Sequence, residues 1–513
     1  MTSTTPQPTS TILNWAEKIF RALVIFFCVA FIAIDLFIIL SRMFYPYQLE
    51  WMEGASLVEV NHILQGRILY LPPSVYFVPL IYPPIYFYAS AGLAKLIGLG
   101  FGALRLVSFL SSLICAIVLY AAVYRKTKNR FAGFLAAGSF AAAFMLTGQW
   151  FDIARVDMLA AAFSILGIYF ARDRDHEPAP ITALLAGIIF ALGFMTKQSA
   201  LGVALAAILY LLIFKWQRAF WLTISFVIAT GFIYSMFWLD SAGWINYYLF
   251  TIPRAHAFSF EIGRMVSVLV GQLAPVSILL FAGLFPFILS PRKTFADRDH
   301  RYYLVMAGAL VATSVIGRLN AFSGPNVYVS TYLGIALLVG LEAGWLLEIV
   351  QQSNLRKFAV PLIVLEWILI SGQFAFLIPT FIQTKTIPTQ QDKATGDALV
   401  ERIKNYSGDV LAPDVNYLTL YAGKTPYYNE MAMSEIRGEG NLYPMPEWTA
   451  IEAQINTLIH APTTSTIIVD FLPPLDNLVS DCRQQSITYP NKTIFTPVAG
   501  PPNARPNIII TCN

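Results

Sequence analysis

Long apolar runs separated by short polar connections fill the chain as far as about residue 382, and the pattern then breaks. A hydrocarbon core of about 30 Å takes roughly 20 helical residues to cross. By hydropathy, spans fall at 19–41, 104–124, 131–148, 155–171, 181–196, 199–214, 219–239, 265–290, 302–317, 327–348 and 359–381, eleven in all. Ten-residue alternating segments of the barrel kind do not occur. The segment 84–100, PIYFYASAGLAKLIGLG, is apolar but holds Lys95 and opens on a Pro-Pro pair, so it reads as a twelfth span or as a helix in the interface. The first run is too long for a cleaved leader and no small-residue cleavage site follows it, which predicts a retained signal anchor. Beyond Gln383 the composition becomes that of a soluble domain. There, Asp397–Asn405 reads as an amphipathic helix, GDVLAPD and STIIVDF as buried strands, and NLYPMPEW and DFLPPLDN as loops.

Composition turns this pattern into a fold class. With 57% hydrophobic and 12% charged residues, the apolar side chains exceed what one soluble core can hide. The expected fold is an all-α polytopic membrane bundle of about 11 transmembrane helices, with interfacial helices in the first outer loop. A small C-terminal α/β soluble domain follows, so residues 1–382 form the transmembrane domain and 383–513 the soluble one. The net charge of +4 comes with no basic run suited to nucleic acid. With the N-terminus inside, inner connections and flanks carry sixteen Lys and Arg against nine in the longer outer ones, and a twelfth span would destroy that bias. Eleven spans are therefore favoured, with 84–100 at the outer interface. The protein is then a multi-pass protein of the plasma or inner membrane, with its C-terminal domain extracytoplasmic. Cys28 and Cys115 lie within spans and read as small buried hydrophobes, whereas Cys482 and Cys512 have the option of pairing in an oxidising compartment.

That orientation collects the unusual polar residues on one face. In QLEWMEGASLVEV, Glu50 and Glu53 stand one turn apart at the start of a helix expected over Glu53–Gln65. Acidic residues there serve a helix N-terminus, or, placed as a pair toward the outer vestibule, make a base or hold a divalent cation. The stretch YLPPSVYFVPLIYPPIYFY, with Tyr82 and Tyr86, reads as a rigid loop shaped by its prolines. Asp157, beside Arg155 in FDIARVD, leads into an apolar helix, either as a cap or as a second acid facing the first loop. Lys197 occupies a tight hairpin, where a lysine snorkels or contacts an anion. Arg318, with Asn320 and Asn326 in GRLNAFSGPN, has the fork that binds phosphate bidentately. Lys197 and Arg318 together suit a phosphorylated lipid headgroup.

These motifs, in this order and on one side, resemble the GT-C superfamily of polytopic glycosyltransferases, in particular the group of protein mannosyltransferases and lipid A aminoarabinose transferases. The likeness rests on LEWMEGASLVEVNHILQGRILY, YPPIYFYASAGLAKLIG followed by ALRLVSFLSSL, ARVDMLAAAF, TKQSAL and GRLNAFSGPN, and covers most of residues 15–382. It implies an inverting transfer of a sugar from a polyprenyl-phosphate donor to an acceptor hydroxyl on a glycan, lipid or protein of the cell envelope. It also implies that Glu53 or Glu50 is the base, that Asp157 is the second family acid, and that Lys197 and Arg318 are the basic positions near the phosphate. Glu53 is favoured as the base because it begins the helix. Glu50, Glu53 and Asp157 are the candidates should a divalent metal ion take part. The chain has Ile81 and Tyr82 where the aminoarabinose branch carries charged residues before its Pro-Pro. A transporter or lipid flippase is the competing reading, and it predicts paired ionisable residues at mid-membrane and repeated halves. Asp35, Glu342 and Glu366 lie within spans but are scattered, and no repeated halves are found.

Overall fold

The computed structural model describes residues 8–172, 179–258, 260–320, 323–352, 359–439, 441–470, 478–500 and 505–512. It is a helical membrane bundle with a small sheet near the C-terminus. The eleven predicted segments fall mainly on helix, but the one at 131–148 is α-helical only over Arg130–Ala142, followed by a 3-10 turn at Met145–Thr147. Among the described residues, six helices are long and apolar enough to cross a membrane: Ile12–Arg42, Phe101–Thr127, Trp216–Asp240, Ile262–Phe285, Pro325–Glu348 and Val360–Gln383. The apolar helices Asp157–Ala171, Pro180–Phe194 and Ala200–Phe214 are shorter. Within Ile262–Phe285 the backbone tightens to a 3-10 turn at Ala274–Val276, because Pro275 has no N–H to continue the ladder. Gln373 repairs the break from the neighbouring helix, donating from Nε2 to the Pro275 carbonyl (2.9 Å) and accepting the Ile278 N–H (3.1 Å).

The segment that begins at the Pro-Pro pair forms the helix Ile85–Ile97, 13 residues long. At 1.5 Å per residue it covers about 20 Å, short of the roughly 30 Å hydrocarbon core. The predicted first-loop helix is present as Glu53–Leu64, but its burial differs from the expectation of an interfacial helix displaying carboxylates. Both of its sides are covered, and Glu53 and Glu59 are buried along with Leu57, Val58 and Val60. The cause is the C-terminal part of the chain, whose short helix Asn416–Tyr421 packs on it. Gly54 permits the approach, since a Cβ there would lie 2.4 Å from the ring of Tyr417.

The C-terminal part builds a four-stranded sheet from β1 (Asp409–Leu411), β2 (Thr464–Val469), β3 (Arg483–Ser486) and β4 (Ile508–Thr511), in the order β1-β2-β4-β3. β1 and β2 are parallel, and the other pairs are antiparallel. The strands read as GDVLAPD and STIIVDF are therefore β1 and β2. The helix read as Asp397–Asn405 starts earlier, at Gln390, because Thr389 and Asp392 cap it reciprocally. Cys482 and Cys512 form a disulfide that ties the start of β3 to the residue after β4. Most of DFLPPLDN lies outside the described residues. The core of this region is continuous with that of the first loop: Leu57, Val60 and Tyr86 share one apolar cluster with Tyr417, Met433 and Ile467.

Candidate functional site

Four ion pairs meet where the helix ends reach the C-terminal part, and two of them are closed. Arg42, at the end of the first helix, donates to Asp152 from Nη2 (2.5 Å) and Nε (2.8 Å), with both side chains fully buried. It also donates to the side-chain and backbone oxygens of Gln149, which holds a left-handed backbone at φ 65°. Arg105, from the helix Phe101–Thr127, donates to Glu53 from Nη2 (2.7 Å) and Nε (3.1 Å), again fully buried. Glu53 accepts the Leu49 and Ala154 N–H groups as well, each at 2.6 Å. A carboxylate has about four lone-pair directions, and those of Glu53 are filled. The preference for Glu53 as the base therefore meets a carboxylate built as a bracket, tying the first loop to Arg105 and to the chain before Asp157.

Glu50 is the opposite case. Its Oε2 accepts the Met52 N–H (3.1 Å) and pairs with Arg155 Nη1 (3.2 Å), while its Oε1 has no hydrogen-bond partner, although the residue is only 1% exposed. Burial pushes the carboxyl up to about 7, with Arg155 opposing the shift. A strap from the C-terminal part lies along this stretch: Ala499 N donates to the Leu49 carbonyl (2.9 Å), and Gln149 Nε2 donates to the Val498 carbonyl (2.8 Å). Arg155 also donates to the Tyr82 hydroxyl (3.0 Å), with its guanidinium over the Tyr82 ring, and its Nε is unpartnered.

Beside this group stands Asp157, the first residue of the helix Asp157–Ala171. The N-cap position belongs to Val156, so Asp157 is not the cap of this helix. Instead, Oδ1 receives Lys197 Nζ (2.5 Å) and Asn326 Nδ2 (2.8 Å), and Oδ2 receives Trp150 Nε1 (2.9 Å). The hairpin that carries Lys197 is pinned to the proline loop by Gln198 Nε2 on the Ile81 carbonyl (2.7 Å) and Ile85 N on the Met195 carbonyl (3.1 Å). Lys197 keeps further N–H donors, since an ammonium has three. The structure thus brings Glu50, Asp157, Lys197, Asn326 and Tyr82 together around Arg155.

The remaining candidates lie apart from that group or are committed elsewhere. Arg318 Nη1 folds back on Ser323, donating to its carbonyl (2.5 Å) and its Oγ (2.9 Å). Asn320 contacts His256 Nδ1 at 2.9 Å. Tyr86 is buried in the core, its hydroxyl bound to the Leu104 carbonyl (3.1 Å). Glu50, Glu53 and Asp157 do not form a metal-binding set: the oxygens of Glu53 and Asp157 are occupied by protein donors, and among the described residues no three His, Cys, Asp or Glu side chains converge. The sequence reading passed over Arg42 and Arg105. A signal existed, because an arginine inside an apolar helix demands a buried partner. No signal marked Glu435, from the helix Glu430–Arg437, which lies in the field of Arg155.

Comparison with known proteins bears on the fold and on part of the sequence. Residues 82–239, less than half of the chain, match the dolichyl-phosphate-mannose-protein mannosyltransferase family (PMT_2). No curated protein matches the sequence. Among solved structures, ArnT from Cupriavidus metallidurans bound to undecaprenyl phosphate is similar at a TM-score of 0.60 and 13% identity, over 94% of this chain and 97% of that one. Its apo state matches equally. The apo oligosaccharyltransferase of Archaeoglobus fulgidus is similar at a TM-score of 0.50 and 11% identity, over 86% of this chain and 69% of that one. The fold is that of the GT-C membrane glycosyltransferases, and the stretch that carries Asp157 and Lys197 is the part whose sequence matches the mannosyltransferase family.

Proposed function

We propose that the protein is a glycosyltransferase that moves a sugar from a polyprenyl-phosphate donor to an acceptor hydroxyl on the extracytoplasmic side, with Glu50 rather than Glu53 as the base. The observation that carries this is the unpartnered Oε1 of a buried Glu50 next to Arg155 and the Lys197–Asp157 pair. A hydroxyl attacking the anomeric carbon loses its proton as the new C–O bond forms, and the bond to the phosphate breaks with its electron pair going to the phosphate oxygen. The first event needs a base with a free lone pair, and the second needs a cation beside the departing charge. Glu50 offers the first and Lys197 the second, with Asp157 fixing the Lys197 ammonium. The eleven-span topology, and with it a domain boundary near residue 382, belongs to the same proposal.

Binding of undecaprenyl phosphate to the purified protein tests the phosphate half of this reading. The expected result is an affinity at least about tenfold above that for undecaprenol, with most of the difference lost in Lys197→Ala, because a charge-assisted contact is worth about 1.5–3 kcal/mol. Equal affinity for the two lipids would overturn it.

A further inference from the structure

Glu435 is a carboxylate of the C-terminal part within the field of Arg155, and its helix is fixed at both ends by the membrane-proximal segments. Before the helix, Tyr428 N donates to the Val75 carbonyl in the proline loop (2.9 Å). After it, Leu442 N donates to the Ala255 carbonyl (2.7 Å), and Asn441 Nδ2 reaches back to the Glu435 carbonyl (2.6 Å). Met431, Met433 and Ile436 of the same helix sink into the core shared with the first loop. Glu435 itself is 4% exposed, and its Oε2 has no hydrogen-bond partner. The neighbouring Arg437 is engaged with Glu430 and Glu439. The charge that acts on Glu435 is the Arg155 guanidinium, and the Tyr82 phenol lies within its field.

A buried carboxyl oxygen without a donor costs free energy, so the site is built for a ligand that supplies one. A lipid-linked donor has three parts. The polyprenyl chain has no hydrogen-bond donors, and an ionised phosphodiester only accepts. Burial pushes the Glu435 carboxyl up to about 8, with Arg155 opposing the shift, and its ionised form accepts hydrogen bonds that, of these three parts, the sugar hydroxyls alone can donate. The proline loop holds both sides together: its Tyr82 hydroxyl accepts from Arg155, and its Val75 carbonyl anchors the helix of Glu435, so Glu435 stands on the side of the site where Lys197 is proposed to meet the phosphate. We infer that Glu435 is a sugar-binding residue: the C-terminal part completes the donor site by accepting hydrogen bonds from hydroxyls of the phosphate-linked sugar. This rests on the donor reading above and adds to it the residue that tells a sugar-bearing lipid from a bare one.

The test compares undecaprenyl phosphate with its mannosyl, glucosyl and galactosyl phosphodiesters, binding each to the purified full-length protein and to Glu435→Gln and Glu435→Ala. Expected is a wild-type advantage of about tenfold for at least one hexosyl lipid over undecaprenyl phosphate, reduced to about twofold or less in Glu435→Ala and lowered in Glu435→Gln. Affinity for bare undecaprenyl phosphate should stay within about twofold in both variants. An undiminished advantage in both variants overturns the assignment. So does a parallel loss of bare and hexosyl lipids, which marks a structural role. A wild type that prefers no hexosyl lipid overturns it while leaving the phosphate reading intact, whereas a wild type that binds neither lipid class overturns both.

Discussion

At the scale of single residues, two glutamates three positions apart were given opposite work by their surroundings. Glu53 faces a buried guanidinium and two backbone N–H groups, while Glu50 keeps one oxygen free. Glu53→Gln should leave the Arg105 charge uncompensated and destabilise the protein by about 3–5 kcal/mol, seen as a large drop in thermal midpoint and yield. Glu50→Gln should unfold near the wild-type temperature yet transfer sugar roughly 100-fold more slowly. A stable Glu53→Gln protein would contradict the bracket role. The Glu50 carboxyl, raised to about 7, adds a pH signature. The basic form is the carboxylate, so kcat/KM should rise as pH increases through about 7, and that limb should vanish in Glu50→Gln. The sequence showed both acids and their spacing, but it could not rank them. Ranking depends on Arg105 and Ala154, which stand 52 and 101 positions beyond Glu53.

Among the elements, the contact between the helices Glu53–Leu64 and Asn416–Tyr421 is the joint that seats the C-terminal part on the first loop. It depends on a missing side chain, since a Cβ at Gly54 would lie 2.4 Å from Tyr417 Cδ1. Gly54→Ala should therefore destabilise the protein by about 1–3 kcal/mol, despite the better helix propensity of alanine, and should increase protease cleavage of the C-terminal part. Adding Tyr417→Leu should recover part of the loss, and no coupling between the two substitutions in a double-mutant cycle would argue against this joint. Element existence was legible in hydropathy. The break at Pro275 with its Gln373 repair and the early start of the helix at Gln390 were not drawn from it, the former because its partner comes from a distant helix.

For the molecule as a whole, the sequence-derived topology makes a prediction about sidedness that the two native free cysteines do not disturb, since both are buried. Cysteines introduced at the exposed positions Gln65 and Ala394 should react with an impermeant maleimide from the outer side, and one at the exposed Lys128 only from the inner side. Labelling of Gln65→Cys and Ala394→Cys from opposite sides would end the eleven-span arrangement. The closed pairs and the shared core also bear on the transporter reading. The carboxylates that gather here do so at the helix ends against the C-terminal part, joined by Lys197 and Arg155. Glu342 and Glu366, expected to be scattered, are instead buried on the helices Tyr328–Gln352 and Ala359–Gln383 within electrostatic reach of one another, because packing of those helices brings them together.

Hydrophobic periodicity and length were enough to determine a helical membrane protein, the positions of its helices and the change of character near residue 383, because those depend on local transfer free energy summed along the chain. Motif order along the chain carried the GT-C likeness. Tertiary structure alone decided which acid is saturated and which keeps an oxygen free, that Lys197 is held by Asp157, and that Glu435 is buried with an unpartnered oxygen. A carboxylate's role is set by the donors around it, and here those donors come from segments tens to hundreds of residues away, where no local pattern records them.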